Sequence, residues 1–222
     1  LYAFYYRRDH NHKHFKAKIM VIGKASLIGL TCLYLSIGSF NSAIASDLEG
    51  SFLHNVNHDV VNEFNDLDLI SSRDLDNYSE IDISDSSGSI AIIQQNSLGA
   101  SANNKAKIKQ NGSSNSAYIG QIGKNNTALI DQDGSNNKAA IGQLGANSDA
   151  LISQDGDNNL AVIGQANYSG QNSQLSIAQK GHGNTAYMVG SGGDNLGISQ
   201  NGNDFAVINA SSSMRIHINQ AN

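Results

Sequence analysis

Apolar and polar side chains alternate along the C-terminal three-fifths of this chain with a period of two residues. That period is typical of a β-strand with one buried face. A short repeat carries it, Ala-x-Ile-x-Gln, usually preceded by Asn-x and followed by x-Gly. Residues 115–123 form a clear copy, and the next copy begins eleven residues later, at Asn126. A spacing of two would scatter these side chains around a helix, so the repeat predicts strands.

Twelve copies keep the same residue types at the same places. The central position is Ile in every copy except one, which has Met, and we predict that these side chains fill the interior. Gln two residues later and Asn four residues earlier are predicted to form hydrogen-bonded ladders between copies. The predicted core side chains are Ile108, Ile119, Ile130, Ile141, Ile152, Ile163, Ile177, Met188, Ile198, Ile208 and Ile218. The predicted Gln ladder is Gln110, Gln121, Gln132, Gln143, Gln154, Gln165, Gln179, Gln200 and Gln220. The predicted Asn ladder is Asn104, Asn115, Asn126, Asn137, Asn159 and Asn184.

The corners between strands carry Gly and Asn, as at 134–137 and 156–159, and both residues tolerate positive φ. Gly precedes Gln only in alternate copies, at Gly120, Gly142 and Gly164. The repeating unit is therefore about 22 residues, made of strand, corner, strand and corner. Stacking these units ~4.8 Å apart predicts an all-β solenoid, or cross-β stack, of about six coils.

Irregular copies interrupt this pattern. Wider spacings predict bulged loops at 97–101 and 168–171. Gly190 and Ala210 replace Gln, which predicts a weaker ladder near the C-terminus. The chain contains no proline, and this favours strands that are paired on both sides, because proline cannot donate to a ladder.

The N-terminal region is typical of an export signal. A basic stretch is followed by an apolar run at 25–40 and by the small-x-small sequence Ala43-Ile44-Ala45. We predict a signal-peptide region at 1–45, with a start at Met20 and cleavage after Ala45. Cys32, the only cysteine, would be removed with it. The expected route is export across the inner membrane to the cell surface.

Charge separates the next two segments. Residues 46–85 hold eleven Asp and Glu against one basic residue, Arg73, whereas residues 86–222 hold seven of each sign. We predict an acidic segment at 46–87, mostly disordered with at most one short helix, and a repeat domain at 88–222. The acidic segment could be a recognition tail for export or a solubilising leader. The near-neutral repeats would permit end-to-end association.

Candidate chemistry is sparse. Asp131 and Asp155 are predicted to share an outer face, where two carboxylates could serve a retaining glycosidase, but no groove is predicted around them. The calcium-loop spacing from Asp155 lacks its Glu, because the twelfth position is Ala166. We therefore predict no enzyme, no cofactor and no metal site. Acidic residues near the corners could instead slow premature assembly as gatekeepers, or be ordinary corner residues. They are Asp131, Asp133, Asp155 and Asp157.

The Asn-x-Ala-x-Ile-x-Gln-x-Gly strands, paired into units of about 22, resemble the curlin repeats of bacterial curli fibres over residues 90–222. That family has a major subunit that forms the fibre and a minor subunit that nucleates it at the cell surface. This chain is more similar to the minor subunit, because its strands favour Ala-x-Ile and its last unit is basic and degenerate. The resemblance implies a cell-attachment role for that unit, with Arg215 and His217.

The resemblance also implies partners: the major curlin, proteins that secrete and anchor curli, and other copies of the chain. It implies only indirect association with the outer membrane, and we predict no nucleic-acid partner. The sequence leaves three alternative functions open. They are a major curlin-type subunit, a soluble solenoid that acts in adhesion or ice binding, and a carbohydrate-active enzyme.

Overall fold

The computed structural model describes residue 53 and residues 56–70, 77–97 and 102–221. The predicted signal region lies outside the described residues, as do residues 98–101 of the bulge predicted at 97–101. One helix, α1, spans His58–Leu69. Eleven strands follow it: β1 (Asn77–Ser84), β2 (Ile90–Ser97), β3 (Asn104–Asn111), β4 (Ser116–Asp133), β5 (Lys138–Asp157), β6 (Leu160–Asn167), β7 (Ser173–His182), β8 (Thr185–Ser191), β9 (Asn195–Asn201), β10 (Phe205–Asn209) and β11 (Arg215–Ala221).

The strands stack in parallel on two faces of the molecule. The long strands β4 and β5 run through a corner, so each contributes one segment to each face. Sheet 1 consists of β1, β3, residues 126–133 of β4, residues 148–157 of β5, β7, β9 and β11. Sheet 2 consists of β2, residues 116–124 of β4, residues 138–146 of β5, β6, β8 and β10.

The pairing register follows the sequence repeat. Ile119 pairs with Ile141, which pairs with Ile163, and the flanking Ala and Gln residues pair in the same way. Because side chains alternate between faces, this register brings the same residue types to the interior in every coil. The predicted β-solenoid of about six coils is therefore confirmed.

The corners adopt left-handed backbone conformations. Gly134 has φ 116° and Asn136 has φ 58°. A Cβ on Gly134 would lie 2.0 Å from the carbonyl oxygen of Gly156, one coil away. Corners that stack at this distance admit only glycine.

The acidic segment contributes more structure than expected. Strand β1 lies before the boundary predicted at residue 88 and pairs with β3, so that Ile81 stands over Ile108. It is a thirteenth copy of the repeat, with Ser79 at the Ala position and Ile83 at the Gln position. Those two substitutions hid it from the sequence pattern. Within the described residues of 46–87, α1 agrees with the one short helix that was allowed, whereas β1 corrects the expectation of disorder there.

Helix α1 packs against the outside of sheet 1. The side chain of Asn57 caps it by accepting a hydrogen bond from the backbone N–H of Asp59 at 3.1 Å. Val60, Phe64 and Leu67 lie on one face at helical spacing and are buried. No helix in the part of the chain that the structure describes has the length and apolar character needed to span a bilayer.

Candidate functional site

The predicted core residues form two continuous apolar columns. From Ile108 to Ile208 every one of them is buried, and each stands over its counterpart in the neighbouring coil. Ala residues two positions earlier pack beside them. Toward the two ends, Ile81, Ile93, Ile216 and Ile218 are only partly buried. The terminal coils therefore present incomplete apolar columns.

The predicted Gln residues form two ladders rather than one. In sheet 1 each amide nitrogen donates to the Oε1 of the Gln one coil further on, at 2.8–3.0 Å from Gln110 through to Gln220. In sheet 2 the same bonds run from Gln95 to Gln165 at 2.7–2.9 Å. Every bond has the same direction, so the ladders are polar along the stack.

Each Gln also crosses the interior. The amide nitrogen of Gln143 donates to the carbonyl oxygen of Thr127 at 3.1 Å and to that of Ser148 at 2.9 Å. On these strands of sheet 1, Ala128 follows Thr127 directly and Ala150 lies two residues after Ser148. A larger side chain at Ala128 would compete with Gln143 for the same space, whereas the position of Ala150 tolerates Leu, since Leu175 occupies it beside Gln165. The Ala and Gln positions of the repeat therefore depend on each other.

The interruption at Gly190 shows this dependence directly. A Cβ on Gly190 would lie 3.0 Å from Leu175 and 3.1 Å from Leu196. Both Leu residues occupy Ala positions of sheet 1 and are fully buried. The lost amide is thus replaced by apolar packing. The expected weakening applies to the sheet 2 ladder, whereas the sheet 1 ladder continues.

The sheet 1 ladder stops at the other end. Ile83 stands beside Gln110 and has no amide to donate. The buried Oε1 of Gln110 consequently has no hydrogen-bond partner. An unsatisfied buried acceptor costs about 1–3 kcal/mol.

The predicted Asn residues connect side chain to backbone more than side chain to side chain. The Oδ1 of Asn115 accepts from the backbone N–H of Asn137 at 3.0 Å, and the Oδ1 of Asn137 accepts from that of Asn159 at 3.1 Å. The same bond links Asn104 to Asn126 and Asn159 to Asn184. The Nδ2 of each of these Asn residues except Asn184 donates to a corner carbonyl one coil on, as Asn137 does to Gly156 at 2.6 Å. The Asn rows therefore fix the corners.

The acidic residues proposed as gatekeepers lie in different environments. Asp131 is buried and pairs with Lys109 at 3.4 Å. Burial raises the pKa of Asp131 above its ordinary value although Lys109 opposes the shift, and Asp131 in turn raises the pKa of Lys109. Asp133 accepts a hydrogen bond from Asn111 at 2.9 Å and stands over Asp155. A gatekeeper role for any of them remains a prediction.

The two carboxylates considered for glycoside cleavage, Asp131 and Asp155, share the outer face of sheet 1 as predicted but do not stack directly on each other. The register places Asp131 over Ser153, so Asp155 lies in the adjoining outward row. Asp157 accepts from the backbone N–H of Ser135 at 2.7 Å and lies 3.3 Å from His182. Within the described ranges, no three His, Cys, Asp or Glu residues are placed to hold a metal ion.

The degenerate terminal repeat lies on β11. Arg215 and His217 project outward from this strand and are exposed. The ring of His217 covers Gly197, where an added Cβ would lie 2.5 Å from Nδ1. The role of these residues in attachment remains a prediction.

The contacts between α1 and the outer face of sheet 1 were not predicted from the sequence. Val60, Phe64 and Leu67 form a cluster with Leu129 and Leu151, two outward side chains of sheet 1 that are fully buried beneath the helix. The signal was present, because 60, 64 and 67 follow helical spacing. Nothing in the pattern indicated which strands the helix would cover.

Ion pairs fix the helix to β3. Lys105 Nζ lies 2.6 Å from the Oδ1 of Asp68 and also donates to its backbone carbonyl oxygen at 2.8 Å. The last turn of α1 thus receives a positive charge, which favours a helix C-terminus. Lys107 pairs with Glu63, which precedes Asp68 on α1 by more than one helical turn.

A polar pocket of about 270 Å³ opens beside the end of α1. Asp68, Lys105 and Asp149 line it together with Thr127 and four Asn residues. Burial, together with the charge of Asp68, raises the pKa of Asp149 to about 6. The helix end therefore faces a carboxyl group whose pKa is raised to about 6.

Comparison with known families matches the same coils. The curlin associated repeat matches three overlapping stretches, at 102–134, 123–156 and 145–181. These stretches cover coils in which both Gln ladders are continuous. No curated protein and no solved structure matches the chain. The chain therefore carries curlin repeats folded as a β-solenoid, and these support a structural protein, a curli-type fibre subunit.

Proposed function

We propose that this chain is the minor subunit of extracellular curli fibres, which nucleates polymerisation of the major curlin. It would be exported across the inner membrane and held at the cell surface by the curli secretion and anchoring proteins. Fibres started there would support adhesion and biofilm formation. The observation that carries the proposal is the continuous in-register ladder, which ends on partly buried copies of its own repeat.

Templating follows from the geometry of the terminal strands. Among the described strands, β1 pairs only with β3 and β11 only with β9, so each has one free edge. A chain with the same repeat can continue the backbone ladder and complete the half-buried column at Ile216 and Ile218. Each completed Ile contributes roughly 1.5–3 kcal/mol before ordering entropy is subtracted.

Helix α1 supports nucleation over simple polymerisation. Forming the first coils of a solenoid is slow, because a non-local loop closes before stacking stabilises it. The helix covers Leu129 and Leu151 in two successive coils and pairs with Lys105 in the coil before them. These contacts hold neighbouring coils together within one chain and lower the barrier to the first ordered stack.

The test is a seeding assay with monomeric major curlin, followed by thioflavin fluorescence. A few mole per cent of the purified protein should abolish the lag phase. Ile218→Lys and Ile93→Lys place a charge in the column at either end, where the side chains are only partly buried. One of them should restore the lag, and it identifies the templating end. Asn219→Lys adds the same charge to the exposed outer face of β11 and serves as the control.

An unchanged lag with a protein that stays soluble would contradict the proposal and favour a soluble solenoid. Spontaneous fibres that leave the lag unchanged would indicate a major-subunit role instead. Loss of seeding in Asn219→Lys as well would mean that charge at this end acts non-specifically.

A further inference from the structure

The outer face of sheet 2 is uncharged over three adjoining rows of side chains. We call this surface the uncharged face. It contrasts with the outer face of sheet 1, which carries Lys105, Lys107, Lys109 and Asp131 and is partly covered by α1. The rows of the uncharged face are Ile92, Tyr118, Ala140, Val162, Tyr187 and Val207; Gln94, Gly120, Gly142, Gly164, Val189 and Asn209; and Asn96, Ile122, Leu144, Ala166 and Ser191.

Large apolar side chains are exposed across this face. Ile92 and Val207 are each about half exposed, and Ile122 and Leu144 are 43% and 38% exposed. Contiguous exposed apolar surface of this kind marks an interaction site on a soluble protein. The face therefore lacks a partner within the described chain.

A glycine slot runs through the middle row. Gly120, Gly142 and Gly164 stand over one another in three successive coils, at the floor of an apolar groove of about 490 Å³. One wall of the groove contains Tyr118 and the other contains Ile122 and Leu144. The slot runs along the stacking axis.

The fold itself does not require glycine at two of these positions, Gly142 and Gly164. Their φ angles lie outside the left-handed region, and a Cβ on Gly142 would meet nothing within 4 Å. A Cβ on Gly164 would only touch Val189 at 3.8 Å. Glycine within a strand costs about 0.5–1 kcal/mol relative to alanine. The ring of Tyr118 lies over Gly120, where an added Cβ would be 2.8 Å from its hydroxyl oxygen, whereas Gly142 and Gly164 keep open a slot that the chain does not fill.

We propose that the occupant is a second copy of this chain, paired face to face. A ridge that fits the slot must repeat once per coil, about every 4.8 Å, over several coils. The ridge of Ile122 and Leu144 has that repeat on the same face. A two-fold rotation brings the ridge of each copy to the slot of the other, which is an isologous interface. Neither face carries charge in these rows, so no like charges meet.

The area of the uncharged face is large enough for a specific interface with a second copy of the chain. Six strands stacked ~4.8 Å apart, with three outward rows that cover about six residues rising ~3.3 Å each, give a face of roughly 29 by 20 Å. Pairing two faces would bury roughly 1,150 Å² in total, above the ~1,000 Å² that a specific interface needs. This lateral pairing is independent of templating at the stack ends and would join two fibres side by side.

The test fills the slot without disturbing the coil. Gly142→Val adds a side chain where the chain leaves space, and Val189 already occupies the same row. Ser199→Val adds the same side chain to the outer face of sheet 1 and serves as the control. Scanning transmission electron microscopy gives the mass per length of the fibres. Wild type and Ser199→Val should show twice the value of a single stack, and Gly142→Val about half of the wild-type value.

Equal mass per length in wild type and Gly142→Val would overturn the proposal, as would single stacks in wild type. Leu144→Asp places a charge on the ridge and should also give single stacks, which covers the case in which Gly142→Val misfolds. If no fibres form, sedimentation velocity replaces microscopy, with a dimer expected for wild type and a monomer for Gly142→Val. Seeding by Gly142→Val should equal that of wild type, so failure of this proposal and failure of the nucleator proposal are distinguishable.

Discussion

The coupling between the Ala and Gln positions can be measured with one double-mutant cycle. Gln143→Gly with Ala128→Leu transfers the natural pair of Gly190 and Leu175 into a regular coil. If the side chains at positions 128 and 143 occupy the same space, Ala128→Leu should restore part of the stability that Gln143→Gly loses. Each single variant should be clearly destabilised.

The magnitudes follow from the contacts of Gln143. Its removal leaves the buried Oε1 of Gln165 without the donor that lies at 2.9 Å, at about 1–3 kcal/mol. Glycine in a strand adds about 0.5–1 kcal/mol, and a cavity adds more, so we expect a loss of about 3–5 kcal/mol. Ala128→Leu alone overpacks the coil by about 1–3 kcal/mol. In the double variant the Leu fills the cavity and should recover about 2 kcal/mol.

The assay is guanidinium unfolding of the monomeric protein, followed by circular dichroism at low concentration before fibres form. A coupling energy of about 2 kcal/mol or more is expected. Additivity of the two single variants within about 0.5 kcal/mol would refute the shared-space reasoning, since independent sites add to that precision.

Three further variants test other parts of the molecule. Phe64→Ala should detach α1, at a cost of about 3–5 kcal/mol, and lower amide-exchange protection beneath the helix; unchanged protection would contradict the packing. Gly134→Ala should destabilise far more than Gly170→Ala, because only the first would place its Cβ against a carbonyl group, 2.0 Å from Gly156 O; equal thermal shifts would contradict this. Burial raises the folded pKa of Asp149 from 3.8 to about 6, so its carboxyl group costs stability progressively as pH rises from about 4 to 6. The free energy of unfolding of Asp149→Asn relative to wild type should therefore rise over that range and level off above it; a pH-independent difference would contradict the environment assigned to Asp149.

Sequence reasoning recovered what repeats every coil. Period two and a unit of 22 residues fix which side chains point inward and which corners need Gly or Asn, because both follow from local backbone geometry. The parallel register then follows from stacking like on like. The solenoid, its number of coils and its curlin repeats were therefore predictable from the sequence.

What occurs once in the chain was not predictable. Strand β1 departs from the repeat at Ser79 and Ile83, and only its pairing with β3 identifies it as a coil. The docking of α1 depends on Leu129 and Leu151, which look like any other outward residues. Gly190 replaces the Gln of the repeat, and the side chain that packs against it is Leu175, which lies on another strand. Such contacts depend on tertiary neighbours rather than on periodicity.

Isotope dilution in the fibre tests the central claim most directly. The coiled stack requires each Ala at the inward repeat position, such as Ala117, Ala139 and Ala161, to stand over an Ala of the same chain one coil away, ~4.8 Å along the axis. Chains labelled with ¹³C at the Ala methyl group would be diluted tenfold into unlabelled chains, and ¹³C–¹³C dipolar dephasing measured by solid-state NMR. The account predicts dephasing nearly unchanged by dilution, because the nearest partners are intramolecular. Dephasing that falls in proportion to dilution would show pairing between chains and contradict the coiled stack.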